Sequence, residues 1–334
     1  VTSLNGKWHI VLFALAGIMA IFLPLMVGRY FIHLAITVLF FGYLGMAWNI
    51  LGGYAGQFSF GHAAFFGIGA FTSSLLQLHA GVNPWIGMAL AGSAGLLLGL
   101  FIGYLCFRYG LHGPYFALAM LALAEMLRLA AVQWMSAKYP LGINLPILGD
   151  SLLHFQFRSK VPYYYIMLVM MSGVLYLSHV IEGKKLGLYF KAIRENENAA
   201  ESLGVNVFKN KLVAMGISSF LTAMGGTFYA QYYLTIDEEA AFGTAVSIEV
   251  LLGPIIGGAG TVFGPLLGAG ILELLSETTR NLLGGHSGMH LMVYGAILVT
   301  VIIFLPNGIL GGLKSISKRY GRKGEEIREA YGDS

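Results

Sequence analysis

Three properties of the sequence predict an all-α, polytopic integral membrane protein. Charged residues make up only 11% of the chain and hydrophobic residues 57%, whereas soluble domains carry about 25% charged residues. Mean hydropathy is +0.72, so the polar surface is too small to cover a fold in water. Apolar runs recur at about the length that crosses a bilayer, roughly 20 residues per helix. The short alternating strands of a membrane barrel are not seen in the sequence, which leaves helices to satisfy the backbone in lipid.

The apolar segments lie at 10–27, 30–51, 60–79, 84–107, 113–134, 161–181, 212–236, 240–279 and 289–306. The first has Lys7 ahead of it and a cleavage-like Ala14-Leu15-Ala16, but its apolar run continues past that triplet, as a membrane span does and a signal peptide does not. Segment 113–134 carries Glu125 and Arg128 one turn apart. On insertion scales the two charges cost about 5–7 kcal/mol, and its Leu, Phe and Val residues return about 2–4 kcal/mol. That helix needs shelter, and two readings are open: a mutual ion pair, or a place in a substrate path or gate. Segment 240–279 is too long for one span and short for two, and Gly253-Pro254, Gly257-Gly258-Ala259-Gly260 and Gly264-Pro265 interrupt it. It is expected to form two broken or half-length passes, giving about ten passes in all.

Charge bias orients the chain. Fourteen basic residues, including Lys7, Arg108, six within 184–211 and six within 314–328, fall on one side; the other side holds Arg29, Lys138, Arg158, Lys160 and Arg280. The richer side is expected to be cytoplasmic, with the polar tail 314–334 beside anionic headgroups. On the opposite side, Asp237-Glu238-Glu239 reads either as the acidic end of a helix or as a docking point for a soluble partner. The single cysteine, Cys106, excludes an internal disulfide and an all-cysteine metal site. His286 and His290 stand four apart without an acidic companion and read as a loop pair.

One charged, helix-patterned island, 182–211, stands between apolar spans. Leu188 to Leu203 is expected to form a helix of about four turns stopped by Gly204, with Lys191–Glu195 and Arg194–Glu197 pairs. Small residues such as Ala199 and Ala200 let a partner approach closely, which a merely solvated helix does not need. Two glycine blocks, Gly52 to Gln57 and Gly257 to Gly260, each precede a renewed apolar helix. Either they permit close helix packing, or they expose backbone N–H groups and a helix dipole to a carboxylate. In the second reading Asn49, Gln57, Ser59, His62, Gly257, Gly258 and Gly260 line a substrate path, with Glu125 and Arg128 as further candidates.

Asn198-Ala199-Ala200-Glu201-Ser202-Leu203-Gly204 resembles the Glu-Ala-Ala-x-x-x-Gly coupling loop of ABC importer permeases, with Asn198 in place of the usual Glu. The surrounding KAIRENENAAESLGVNVFKNKLVAM is similar to the branched-chain amino acid permease family. So are GGYAGQFSFGHAAFFGIGAF at 52–71, GPYFALAMLALAEMLRL at 113–129 and GGAGTVFGPLLGA at 257–269. The resemblance covers roughly residues 45 to 310 and is strongest to the M-type member of the permease pair; Lys138 to Pro146 departs from it.

The resemblance implies one transmembrane permease domain over 1–313, and a heteromeric importer of branched-chain or similar amphipathic amino acids in the bacterial inner membrane. Its partners would be a second permease, two cytoplasmic ATPases and a soluble binding protein, with no nucleic acid. Arg194, Glu195, Ala199, Ala200 and Gly204 would form the ATPase-coupling helix. No G-x-x-x-x-G-K-[ST] loop is found, so no enzymatic activity is expected on this chain and ATP and Mg would reside on the partner ATPases. Related permeases leave urea and short amides open as substrates. An ion-coupled transporter titrating Glu125, Glu249 or Glu273, and a membrane hydrolase using His62 and Ser59, are the readings from other classes.

Overall fold

The computed structural model describes residues 19–139 and 142–283, together with residue 17 and scattered positions between 292 and 311. The first part of segment 10–27, most of segment 289–306, the His286–His290 pair and the tail 314–334 lie outside the described residues. The elements in order are α1 (Arg29–Asn49), a π-helical turn (Ile50–Tyr54), α2 (His62–Ala80), α3 (Pro84–Arg108), α4 (Gly113–Lys138), β1 (Ile143–Asn144), α5 (Val161–Gly183), α6 (Lys185–Glu195), α7 (Glu197–Ser202), α8 (Val207–Tyr233), β2 (Thr235–Ile236), α9 (Glu238–Phe242), α10 (Thr244–Gly257) and α11 (Gly264–Leu283).

Seven helices among the described residues are long and apolar enough to cross a membrane: α1 with its π turn, α2, α3, α4, α5, α8, and α9 joined to α10. The protein is an all-helical, multi-pass membrane protein. The expected ten passes include segments that lie outside the described residues. Segment 240–279 divides as its glycines suggest, into α10 and α11, which pack on each other and on α1. Pro254 lies inside α10, where it removes one backbone donor.

α1 and α8 form the centre. α1 packs against α5, α8, α10 and α11, and α8 against α2 and α3. The α3–α8 crossing is close because α3 presents Gly92, Gly95, Gly99 and Gly103 at helical spacing; added Cβ atoms would meet Phe220, Ala223, Ser219 and Met215. α4 and α5 lie outside, and α4 exposes Tyr115, Leu118, Met126 and Leu129. The only sheet among the described residues is the antiparallel ribbon β1–β2, with Ile143 opposite Ile236, which ties the long loop after α4 to the end of α8.

The island departs from its expected form. Instead of one helix over 188–203, it folds as α6 and α7, broken at Asn196, whose backbone is extended (φ −162°). The Asn196 side chain accepts a 3.0 Å bond from the Ala199 N–H, so an asparagine able to cap a new helix overrides helix continuation. The expected intrahelical pairs are replaced by tertiary ones. Lys191 Nζ reaches Glu182 (2.8 Å), and Glu197 turns to Lys211 (2.5 Å).

Candidate functional site

The island end of the bundle brings four separate pieces of sequence together. α6 buries Ile193 and packs Phe190 into a cluster with residues of the membrane helices, which fixes the direction of its polar face. From that face Arg194 Nη1 donates to the Gly53 carbonyl at 2.7 Å, within the π-helical turn that ends α1. The same guanidinium lies against Gly260, where a Cβ would collide with Nη1. The Arg194 backbone packs on Gly56, whose φ of +69° and 3.0 Å separation from Arg194 Cα at the Cβ position favour glycine.

Asn49 joins the two glycine blocks directly. Its Nδ2 donates to the Thr261 carbonyl (2.9 Å), and its Oδ1 accepts from the Gly260 N–H (2.7 Å). That N–H is therefore engaged within the chain instead of facing a ligand. Gly257 and Gly258 serve the hairpin: a Cβ on Gly257 would overlap the Gly264 carbonyl, and Gly258 has φ +124°. These contacts leave no room for a side chain at Gly257 and Gly260.

Beside this node runs a polar chain. Gln57 Nε2 donates to Glu197 Oε1 (3.1 Å), and Lys211 Nζ meets the same oxygen (2.5 Å) while lying 5.4 Å from the centre of the Phe107 ring. A cavity of about 420 Å³ borders the node, lined by Gln57, His112, Arg194, Glu195 and Glu197 among others. Gly53 belongs to the first glycine block read from the sequence, whereas Thr261 and Lys211 were not singled out there. Lys211, the last charge before a long apolar run, carried the signal for its burial.

The remaining expected coupling residues separate into two kinds. Ala200 is buried inside the chain, whereas Glu195, Ala199 and Gly204 are exposed, and Leu203 is 84% exposed beside them. Gly204 takes φ +84° where α7 ends. α7 and the two residues after it therefore present an exposed surface that includes Ala199, Gly204 and one free apolar side chain, Leu203.

Ser59 and His62 lie apart from the node, in the packed interior. His62 Nε2 is 2.8 Å from Ser218 Oγ and its Nδ1 3.2 Å from Ser59 Oγ; the Ser218 hydroxyl donates a hydrogen bond to the Ala47 carbonyl (2.7 Å). Trp48 Nε1 donates to the Ser59 carbonyl (2.8 Å). Fully buried and paired on both ring nitrogens, His62 ties α1, α2 and α8 together.

Glu125 and Arg128 pair bidentately, at 2.9 and 2.6 Å, and Arg128 also reaches Glu239 at 3.2 Å. Asp237 caps α9 by accepting from the Ala240 N–H (2.6 Å). These contacts supply the shelter that the charges in α4 require and use part of the acidic cluster for it.

The site and its spans together define a polytopic helical membrane bundle with a polar helix pair keyed into two glycine breaks. The family described as branched-chain amino acid transport system / permease component matches residues 30–302. The chain belongs to this family of ABC transporter permease subunits. It is 27% identical to the high-affinity branched-chain amino acid transport system permease protein LivM of Salmonella typhimurium, over 88% of this chain and 73% of that one. The ribose import permease protein RbsC of Escherichia coli K12 is 28% identical over 42% of this chain and 44% of its own length. The guanosine ABC transporter permease protein NupQ of Bacillus subtilis is 29% identical over 49% of this chain and 55% of its own. No solved structure gives a significant match. These relatives are transport permeases, and membership places this chain in the inner membrane as part of a complex.

Proposed function

We propose that this chain is the permease subunit through which an ABC importer moves branched-chain or similar amphipathic amino acids, driven by separate ATPases acting on α6 and α7. The observation that carries the reading is the seat of Arg194 between Gly53 and Gly260. A push on the island reaches the π-helical turn that ends α1 and the break between α10 and α11 through the Arg194 side chain, without an intervening linker. The exposed Ala199, Leu203 and Gly204 surface is the ATPase contact, and Arg194, an exposed residue whose guanidinium bonds the Gly53 carbonyl, is the transmitting group. ATP and Mg stay on the ATPases, the island faces the cytoplasm, and a second permease and a soluble binding protein complete the importer.

Two substitutions test this reading in cells that depend on the complex for leucine uptake. Ala199→Arg places a bulky charge on the exposed surface and is expected to abolish both uptake and ATPase association, with membrane abundance unchanged. Arg194→Ala is expected to leave ATPase association and ATP hydrolysis in place and to lower uptake at least about tenfold, the loss of one charge-assisted hydrogen bond. Normal uptake in both variants defeats the coupling assignment.

A further inference from the structure

At the end of the bundle away from the island, α1, α8, α10 and α11 enclose a cavity of about 400 Å³. Its size falls in the range of ligand sites, roughly 300–1,000 Å³. Glu249, Glu273, Glu277, Arg280, His33 and Tyr233 all line it. Thr37, Phe41 and Tyr233 are shared with a second, narrower cleft of about 40 Å³, walled by Phe40, Phe228, Tyr229 and Tyr232. One water needs about 10–15 Å³ by the same measure, so the cleft has room for a short aliphatic group. A charged vestibule therefore opens into an aromatic slot.

Most of the polar groups are already used. Tyr30 donates to Glu277, Arg280 lies 3.6 Å from Glu277, and His33 Nδ1 is 2.6 Å from the Tyr232 hydroxyl. Glu249 and Glu273 have no hydrogen-bond or ion-pair partner among the described residues. Arg280 is 62% exposed and held by one loose contact. Carboxylates on membrane helices almost always face the bundle interior or a water-filled cavity and mark substrate or ion paths.

We infer that this vestibule and slot form a binding site for an apolar zwitterionic amino acid, with its ammonium between Glu249 and Glu273, its carboxylate toward Arg280, and its side chain in the slot beside Phe40, Phe41 and Phe228. The inference rests on the proposed importer function and assigns that substrate a place on this chain. It also separates the substrate classes of the relatives, because neither ribose nor guanosine carries an ammonium to occupy the two free carboxylates.

The test uses the complex purified with its partner subunits, without binding protein, and radiolabelled L-leucine in equilibrium dialysis; ATP-driven leucine uptake is followed in parallel in whole cells, where the binding protein is present. Wild type is expected to bind leucine, with no competition from 4-methylpentanoate, which has the same side chain without the ammonium. Glu249→Gln and Glu273→Gln are each expected to weaken binding about tenfold, the effect of roughly 1.4 kcal/mol, and Glu→Asp at either position to restore most of it. Removing a membrane carboxylate relieves a desolvation cost, so folding and assembly are expected to survive, as the yield of complex will show. Phe41→Ala, which widens the slot, is expected to let phenylalanine compete more strongly. If the wild type imports leucine but its complex binds none, or if the Glu249→Gln/Glu273→Gln double variant binds as wild type does, the site is overturned and the importer reading stands. Absence of ATP-driven leucine uptake by the wild type overturns both.

Discussion

Replacing Glu197 with alanine separates an island packed onto the membrane domain from one that is only solvated. Lys211 Nζ lies 2.5 Å from Glu197 Oε1, and the lysine side chain is 5% exposed against 35% for the glutamate. Removing one partner of a buried pair costs about 3–5 kcal/mol, because the other charge stays desolvated. Partial exposure of Glu197 admits water to the vacated position, so the lower end, about 3 kcal/mol, is expected. Lys211→Met leaves Glu197 with the Gln57 amide and solvent, and about 1 kcal/mol is expected from the lost bond. The double variant removes both charges and is expected to cost about 1 kcal/mol, which gives a coupling energy of about 3 kcal/mol.

The assay is hydrogen exchange of the α6 and α7 amides in the purified protein. A loss of 3 kcal/mol confined to the island raises its opening equilibrium by about two orders of magnitude. Protection is expected to fall in Glu197→Ala, to return toward wild type in the double variant, and to stay nearly constant in the core of α8. Unchanged exchange in Glu197→Ala, or single effects that add within about 0.5 kcal/mol, refutes the reasoning and returns the island to a solvated connector.

Two further outcomes follow from packing. Gly69→Leu forces a side chain into the Ala223 backbone at the α2–α8 crossing; a loss of at least about 3 kcal/mol is expected, read as reduced folded yield and a lower unfolding midpoint. His62→Ala opens the buried network to Ser59 and Ser218 and is expected to lower stability by about 2 kcal/mol while leaving leucine selectivity of uptake intact. A selectivity change at normal abundance would instead return His62 to the substrate path.

Much of the architecture is legible before any coordinates, because the bilayer imposes a length and a hydropathy on every span. The spans near 30–51, 60–79, 84–107, 113–134 and 161–181 correspond to α1 through α5, and the glycine-interrupted stretch divides where its glycines lie. The Glu125–Arg128 pair follows from spacing alone, since residues three apart on a helix face each other. The island also stands out by composition, as the one long polar stretch between spans.

The partners of polar groups were decided by tertiary structure. Local spacing paired Arg194 with Glu197 and Lys191 with Glu195, yet Arg194, Lys191 and Glu197 each found a different partner once α6 was laid against the membrane domain. Asn49 and Gly260 lie 211 positions apart, and no periodicity links them; only the folding of the α10–α11 hairpin onto α1 brings them together. Glu249 and Glu273 likewise read as isolated charges until two helices placed them on one cavity. The sequence by itself determined which segments enter the membrane, because transfer free energy is a sum over neighbouring residues. Which glycine break meets which side chain depends on helix crossings that sum over residues far apart in the chain, and so belongs to the tertiary structure.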